Sequence, residues 1–308
     1  MSKCFELNCS GKTLNLSSPK IMGILNVTSD SFYAASRCTG IDDTLKRAEV
    51  MAAAGAAILD VGGESTSAMV QRYGYKDTKD AARYVGGISA EHDVLDVVSC
   101  EQELDRIIPV VEALSQRFDC IISVDTSSAA VIRESALAGA GIINDIRALN
   151  RPGALEAVAA TDLPVVLMHS LVDHPEAGFI PHYDNLMMEV TDYLKKAVIR
   201  CEEAGIQRHR LIIDPGFGGG LFGKTPDYDL SMLKHFKQFH ELELPILAGL
   251  SRKSFIGAIL DKGPEQRLTG SLSAAIIAAQ AGAHILRVHD VAETYDVLRV
   301  LQAVNDAH

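Results

Sequence analysis

The chain has 308 residues, of which 47% are hydrophobic, and this is enough for one large domain with a sizeable core. A formal net charge of −11 argues against a general surface for nucleic acid, although a local basic site for a small anion stays open. No apolar run approaches the ~20 residues needed to span a bilayer, the N-terminus has no signal-peptide core, and the cysteines lack metal-site spacing. We therefore expect a cytoplasmic protein with reduced thiols and with neither a nucleic-acid nor a membrane partner.

The first predicted element is a β-hairpin within residues 1–19. Its apolar positions alternate loosely around Ser10-Gly11-Lys12, which has the character of a turn. We expect this hairpin to precede the main fold and to plug the floor of the barrel described next.

Eight short apolar runs follow, and each ends in polar residues. Runs that are apolar almost throughout are typical of parallel strands buried on both faces. The segments between them are amphipathic, and several end in glycine directly before the next run, as in AAAG and EEAG. This alternation predicts an α/β fold, a (β/α)8 TIM barrel with an N-terminal β-hairpin, and a doubly wound open sheet is the alternative. The runs are residues 21–26, 57–64, 121–126, 141–145, 164–169, 211–216, 245–253 and 284–290.

Two stretches interrupt the alternation. Residues 67–100, after the second predicted strand, form a long connection of mixed charge with three tyrosines. Loops beyond ~15 residues are usually functional or disordered, and the position at the catalytic rim favours a partly ordered lid over an inert insertion. The second stretch is GFGGGLFGK (216–224), whose glycines would let the backbone approach a ligand closely.

Polar residues stand at the carboxyl ends of several predicted strands, which share one rim of a barrel. Asp125, Asn144 and Asp214 end strands three, four and six, and Lys253 follows strand seven. Two carboxylates and an amide suit a flat heterocycle that bears amino and oxo groups, because a carboxylate accepts paired N–H groups and an amide both donates and accepts. The alternative for each residue alone is an ordinary polar cap on the following helix.

A second group of residues suggests an anion pocket. Arg287 and His289 are two apart on predicted strand eight, so their side chains share a face. With Arg252 and Lys253 nearby they could bind phosphate or pyrophosphate, as barrels often do after strands seven and eight, and a structural ion pair is the alternative. Asn26 closes strand one, where its amide oxygen could meet Mg²⁺ held mainly by substrate phosphates.

Other local patterns are less specific. His169 ends strand five, where a packed, hydrogen-bonded role is favoured over that of a general base. Asp290-x-x-Glu293 at the start of the last helix is a capping-box pattern. The sequence has no GxSxG, Walker-type or HExxH motif, so the commonest hydrolase, nucleotide-binding and zinc-protease functions lack support.

Several long segments, in the same order along the chain, resemble the dihydropteroate synthase family. The resemblance covers nearly the whole barrel, and chance does not explain matches of this length. The segments are GILNVTSDSF (23–32), DVGGEST (60–66), SVDT (123–126), INDIR (143–147), LMH (167–169), DPGFG (214–218), GLSRKSFIG (249–257), GSLSAAIIAA (270–279) and RVHD (287–290).

The resemblance implies one pterin-binding barrel domain over residues 1–308. It also implies condensation of 6-hydroxymethyl-7,8-dihydropterin pyrophosphate with p-aminobenzoate, with Mg²⁺, in a protein that is usually a homodimer. By motif match, the residues that would hold the pterin edge are Asp125, Asn144, Asp214 and Lys253, and the catalytic set would be Asp125, Asp214 and Lys253. The residues that would bind pyrophosphate are Asn26, Thr66, Arg287 and His289, with Asn26 also at the metal. The residues that would bind p-aminobenzoate are Phe32, Thr66 and Ser254.

The chemistry expected from this resemblance is SN1-like. Pyrophosphate leaves readily once cations offset its charge, and the carboxylates of Asp125 and Asp214 would stabilise the cationic pterin methylene. The arylamine then needs a position more than a strong base. Two alternatives stay open: a paralogue that binds pterin without synthase activity, and a methyltetrahydrofolate-dependent methyltransferase.

The chain departs from the family's usual loops. A first-loop aspartate is replaced by Ala34, a second-loop arginine by Ser67, and the family's DPGFGFGK is lengthened to DPGFGGGLFGK. The lengthened segment, with MHS at strand five, is similar to sulfonamide-insensitive members. We therefore expect an unchanged pterin site, a remodelled p-aminobenzoate pocket in which Arg72 or the tyrosines of the insert supply contacts, and tolerance of sulfonamides.

Overall fold

The computed structural model describes residues 5–27, 40–63, 99–171, 181–219 and 222–307. The strands are β1 Glu6–Cys9, β2 Lys12–Asn15, β3 Lys20–Asn26, β4 Ile58–Gly62, β5 Ile121–Asp125, β6 Ile142–Asp145, β7 Val165–Met168, β8 Leu211–Asp214, β9 Leu247–Ala248 and β10 Ile285–Val288. The α-helices are α1 Ile41–Ala53, α2 Cys100–Arg117, α3 Ala129–Ala138, α4 Ala154–Ala159, α5 Leu186–Glu203, α6 Pro226–Lys234, α7 Ser254–Leu260, α8 Leu268–Gln280 and α9 Val291–Asp306. Short 3-10 helices lie at Arg208–Arg210, Phe236–Leu242 and Pro264–Gln266.

Strands β3 to β10 form one parallel sheet that closes on itself. Their order is β8-β7-β6-β5-β4-β3-β10-β9, and a bridge between Ile213 and Ile246 joins the two ends. Each of the eight apolar runs corresponds to one of these strands, with β3 beginning one residue before its run, at Lys20. The predicted (β/α)8 barrel is therefore confirmed, and the open doubly wound sheet is wrong. Strand β9 is short because the chain turns soon after it, through Arg252 with φ 58°, into helix α7.

The glycines predicted to stop helices adopt the backbone conformation that this role requires. A left-handed residue after a helix is tolerated best without a Cβ. All four have positive φ: Gly55 (97°), Gly139 (102°), Gly205 (88°) and Gly282 (97°).

The predicted N-terminal hairpin is present and covers one end of the barrel. Strands β1 and β2 pair antiparallel, with Leu7 opposite Leu14. Their buried side chains pack against the first inward-facing residues of the barrel strands, among them Met22, Ile58 and Ile121. Because these residues lie near the amino ends of the strands, the hairpin plugs the floor and leaves the carboxyl ends at the opposite rim.

Inward-facing positions change from apolar to polar toward that rim. On β4, Ile58 belongs to the floor cluster, whereas Leu59 and Val61 face the surrounding helices. Alternation along the strand therefore points Asp60 and Gly62 into the barrel, as Ile58 does. The same alternation places the polar strand-end residues inside the barrel, above an apolar floor.

The capping-box prediction for the last helix is wrong. Asp290 is the N-cap residue of α9, but its side chain makes no capping hydrogen bond. Its carboxylate instead accepts two hydrogen bonds from the Arg252 guanidinium, at 2.8 and 2.7 Å. A bidentate, charge-assisted pair outcompetes a cap on a backbone N–H. In the part of the chain that the structure describes, no helix is both long and apolar enough to cross a membrane.

Candidate active site

The strand register places three predicted site residues in one row at the rim. Asn26 pairs with Gly62, Gly62 with Asp125, and Asp125 with Asn144. Gly62 has no side chain, and a Cβ built there would lie 3.6 Å from Asn26 Oδ1 and 3.9 Å from Asp125 Oδ2. The glycine therefore leaves space between an amide oxygen and a carboxylate.

Asp60 lies one layer deeper and is fully buried. Its Oδ1 accepts a hydrogen bond from Ser123 Oγ (2.6 Å), and its Oδ2 accepts from Arg287 Nε (2.6 Å) and Asn144 Nδ2 (3.2 Å). Sequence reasoning assigned Asp60 no role. The signal was available, because an acid within an otherwise apolar buried strand has to be paired.

Arg287 joins this deeper layer to the rim. Its Nε donates to Asp60, and its Nη2 donates to Asp125 Oδ2 at 2.7 Å. Burial lowers the pKa of Arg287, but the charges of Asp60 and Asp125 outweigh it and hold that pKa above its usual value. Burial raises the pKa of Asp125, and Arg287 opposes that rise. The structure thus brings Arg287, predicted for the anion pocket, into contact with a carboxylate predicted for the heterocycle.

Asp214 and Lys253 bring opposite charges to the other side of the rim. Asp214 Oδ1 accepts the Gly216 backbone N–H at 2.8 Å, and burial raises the pKa of Asp214 to about 6. Burial, with Arg287 nearby, lowers the pKa of Lys253 to about 8. The Lys253 Nζ also lies 4.2 Å from the centroid of the Phe222 ring, which is a cation–π contact.

The glycine-rich segment after β8 is anchored by buried charged groups that sequence reasoning missed. Lys224 Nζ lies 2.8 Å from His169 Nδ1 and donates to the Phe222 carbonyl at 2.7 Å. Asp229 Oδ1 accepts the Gly218 N–H at 2.9 Å. His169 thus has the packed, hydrogen-bonded environment expected for it.

Two residues predicted for the anion pocket near the end of strand β10, His289 and Arg252, make different contacts. His289 is buried, and both its Nδ1 (3.0 Å) and its backbone nitrogen (3.2 Å) lie within hydrogen-bonding distance of Ser251 Oγ. The prediction that Arg252 contributes to an anion pocket is wrong, because its guanidinium binds Asp290 and the Pro264 carbonyl. Burial and the surrounding cations, Arg287 first, hold the pKa of His289 well below its usual value.

Several predicted residues cannot be placed in this geometry. Phe32 and Thr66 lie outside the described residues, as do Ala34, Ser67 and nearly all of the 67–100 insert. Ser254 is described, and it begins helix α7 directly after Lys253. Among the described residues, no group of three or more His, Cys, Asp or Glu side chains is arranged to hold a metal ion.

Comparisons with known proteins bear on this constellation. Residues 22–94 and 84–289 match the family of pterin binding enzymes. The dihydropteroate synthase of Escherichia coli K12 is 49% identical over 98% of this chain and 97% of its own.

Solved structures agree. The Yersinia pestis dihydropteroate synthase in a sulfonamide drug complex superposes with a TM-score of 0.84, is 44% identical, and is matched over 99% of this chain and 100% of its own. The Xanthomonas albilineans dihydropteroate synthase with 4-aminobenzoic acid gives a TM-score of 0.83 at 42% identity, with 99% and 100% covered. The chain therefore belongs to the dihydropteroate synthases, transferases of folate biosynthesis.

Proposed function

We propose that the rim described above is the catalytic centre, and that the pterin of 6-hydroxymethyl-7,8-dihydropterin pyrophosphate binds against Asp125, Asn144, Asp214 and Lys253. The supporting observation is that these side chains come from β5, β6, β8 and the start of α7 and face one barrel mouth. The carboxylates would accept pterin N–H groups, and the Lys253 ammonium would donate to a pterin oxygen or ring nitrogen.

The pyrophosphate would lie toward Asn26, Thr66, Arg287 and His289. Asn26 Oδ1 would contribute one oxygen to a magnesium ion held mainly by the substrate phosphates, and the absent side chain at Gly62 leaves space beside that oxygen. When bound, Mg²⁺ would supply positive charge that offsets the leaving pyrophosphate.

The protein's own part in the reaction is electrostatic and positional. Departure of pyrophosphate would leave positive charge on the pterin methylene, and the buried carboxylates of Asp125 and Asp214 at the rim would stabilise it. Lys253 would fix the ring in place. The arylamine nitrogen would then form the C–N bond once it is held in line and would release one N–H proton to the departed pyrophosphate or to water, so the site needs no strong base.

The p-aminobenzoate would bind near Phe32, Thr66 and Ser254. The Xanthomonas albilineans relative was solved with 4-aminobenzoic acid. Ala34 and Ser67 replace two charged loop residues of the family, and this supports a remodelled acceptor pocket and tolerance of sulfonamides.

Pyrophosphate release, measured with and without p-aminobenzoate, tests the proposal. We expect release that depends on p-aminobenzoate in the unaltered protein and that falls by roughly 10²-fold or more in Asp214→Asn, because the carboxylate charge is lost. Asp227→Asn, at an exposed position of α6, is the control and should behave as the unaltered protein. Equal release from both variants would contradict the site. Pterin binding without release in the unaltered protein would favour the non-catalytic paralogue.

A cytoplasmic homodimer built from one domain over residues 1–308 completes the proposal. Exposed apolar side chains on the last helices, Ile277 on α8 and Val300 and Val304 on α9, support a subunit contact. Unpaired thiols such as Cys9 and Cys201 support a reducing compartment. Light scattering of the purified protein should give twice the chain mass, and a monomer mass at micromolar concentration would contradict the dimer.

A further inference from the structure

We infer that Asp60 is a positioning residue for the reaction. It determines which side-chain atom Asn144 presents to the ligand, and it binds one side of the Arg287 guanidinium while Asp125 binds the other. This inference rests on the proposed pterin site and adds to it a residue that touches no ligand. Asp60 is fully buried beneath the rim, so it acts only through the side chains that it holds.

The first step concerns the number of elements that meet at this carboxylate. The donors to Asp60 are Ser123 on β5, Asn144 on β6 and Arg287 on β10, so one side chain ties its own strand to three others. Arg287 is 227 positions away in sequence. A shift of Asp60 therefore moves several rim residues together.

The second step concerns Asn144. A carboxylate only accepts hydrogen bonds, so Asn144 must turn its Nδ2 amide toward Asp60. Its carbonyl oxygen then faces away from Asp60, toward the rim, as an acceptor. A neutral amide at position 60 could donate as well as accept, and it would no longer impose one orientation on Asn144.

The third step concerns Arg287. Asp60 binds Nε and Asp125 binds Nη2, at 2.6 and 2.7 Å. Without the charge at position 60, the guanidinium would be drawn toward Asp125 and would compete with the ligand for that carboxylate. Asp60 thus keeps Asp125 available to the pterin.

The chain offers a matched control in Asp145. It is also fully buried and also accepts three hydrogen bonds, from Ser127 Oγ (2.5 Å), Arg147 N (2.8 Å) and Leu149 N (3.1 Å). It lies on β6 next to Asn144 but faces outward, since side chains alternate along a strand. Asp60→Asn and Asp145→Asn each remove one buried carboxylate charge, but only Asp60 contacts the rim residues Asn144 and Arg287.

The test is steady-state kinetics and thermal unfolding of Asp60→Asn and Asp145→Asn, with both substrates varied. We expect both variants to lose thermal stability. Only Asp60→Asn should lose roughly 10²-fold in kcat/KM for the pterin pyrophosphate, while KM for p-aminobenzoate changes less than about threefold. Equal kinetic losses in the two variants, or an unchanged pterin kcat/KM in Asp60→Asn, would overturn the inference.

Two further variants keep the test decisive. If Asp60→Asn does not fold, Ser123→Ala removes only the donor to Oδ1 and should lower kcat/KM for the pterin by roughly 3–10-fold, leaving KM for p-aminobenzoate unchanged; no loss would overturn the inference. Asn144→Ala separates the two proposals. If it leaves pterin kinetics unchanged, the proposed pterin site is wrong, whereas a loss in Asn144→Ala without one in Asp60→Asn refutes only the positioning role.

Discussion

Lys224 and His169 form a buried pair in which the lysine Nζ lies 2.8 Å from the histidine Nδ1. Burial, with Lys224 nearby, holds the pKa of His169 well below its usual value, so the ring is neutral and its Nδ1 can accept a hydrogen bond from the Lys224 ammonium. The same lysine holds the Phe222 carbonyl, and the Phe222 ring contacts Lys253 Nζ. The pair therefore links strand β7 to the aromatic ring that contacts the proposed pterin lysine.

We predict that Lys224→Met raises KM for the pterin pyrophosphate by roughly tenfold, because Phe222 and then Lys253 lose their fixed positions. The free energy of unfolding should also fall, by roughly 1–3 kcal/mol, because the variant leaves the buried Phe222 carbonyl and His169 Nδ1 without their donor. Lys195→Met, at an exposed site on α5, is the control and should leave KM unchanged. Equal KM values in the two variants would refute the link between Lys224 and the site.

The pKa of Asp214 is raised and the pKa of Lys253 is lowered, and together these shifts predict a pH window for pterin binding. Burial raises the pKa of Asp214 to about 6, so its acceptor charge is lost as pH falls below that value. Burial lowers the pKa of Lys253 to about 8, so its donor charge is lost as pH rises above that value. Binding should therefore be strongest between these two values.

Calorimetry would measure the affinity for a hydroxymethyl-dihydropterin across this pH range. A ligand without phosphate is used so that protonation of the pyrophosphate does not contribute to the pH dependence. Lys253→Arg should move the alkaline limit upward, because a guanidinium keeps its proton throughout this range. A constant affinity from pH 5 to pH 9, or the same alkaline limit in the variant, would contradict the assignment.

The sequence was sufficient to predict the barrel and the strand ends, because the patterns that indicate them lie within single short segments of the chain. Asp125 and Asp214 are the last residues of β5 and β8, and Asn144 is the next-to-last residue of β6; mainly apolar residues precede each of them, so the boundary between core and rim is visible along the chain. Glycine stops such as Gly139 are equally local, because a left-handed residue after a helix depends on that residue alone.

What the sequence did not predict depends on contacts between distant segments. Asp60 and Arg287 meet across 227 positions, and a single sequence does not say which acid a given arginine will contact. Asp290 illustrates a conflict: its local pattern favours a helix cap, but Arg252, 38 positions earlier, binds the carboxylate instead. Long-range pairing decided both cases.

We predict that Asp290→Ala lowers the free energy of unfolding by about 3–5 kcal/mol, because it leaves the buried Arg252 guanidinium without its paired carboxylate. Asp296→Ala, at an exposed site on the same helix, should change it by less than ~0.5 kcal/mol. Urea denaturation followed by circular dichroism measures both. Similar losses in the two variants would show that the Arg252–Asp290 pair is not the cause.

The hairpin at the barrel floor should contribute strongly to stability. Leu14 is buried in the floor cluster, so Leu14→Ala should lower the free energy of unfolding by about 2–5 kcal/mol through lost burial and a residual cavity. Thr13 is exposed on the other face of β2, and Thr13→Ala serves as the control. If the two variants unfold at the same urea concentration, the hairpin does not act as a plug.

Sulfonamide tolerance is the remaining prediction, and it depends on Ala34 and Ser67, which stand where the family usually has a loop aspartate and a loop arginine. We expect sulfamethoxazole to inhibit this protein at least tenfold more weakly than the Escherichia coli relative, a difference of ~1.4 kcal/mol in binding, because the drug competes for the remodelled acceptor pocket. The double variant Ala34→Asp with Ser67→Arg should regain part of that sensitivity if the two charges act as a set. The comparison requires inhibition constants rather than bare potencies, since the two enzymes can differ in KM for p-aminobenzoate. Equal inhibition constants for this protein and the relative would show that the altered loops do not change the affinity of the acceptor pocket for sulfamethoxazole.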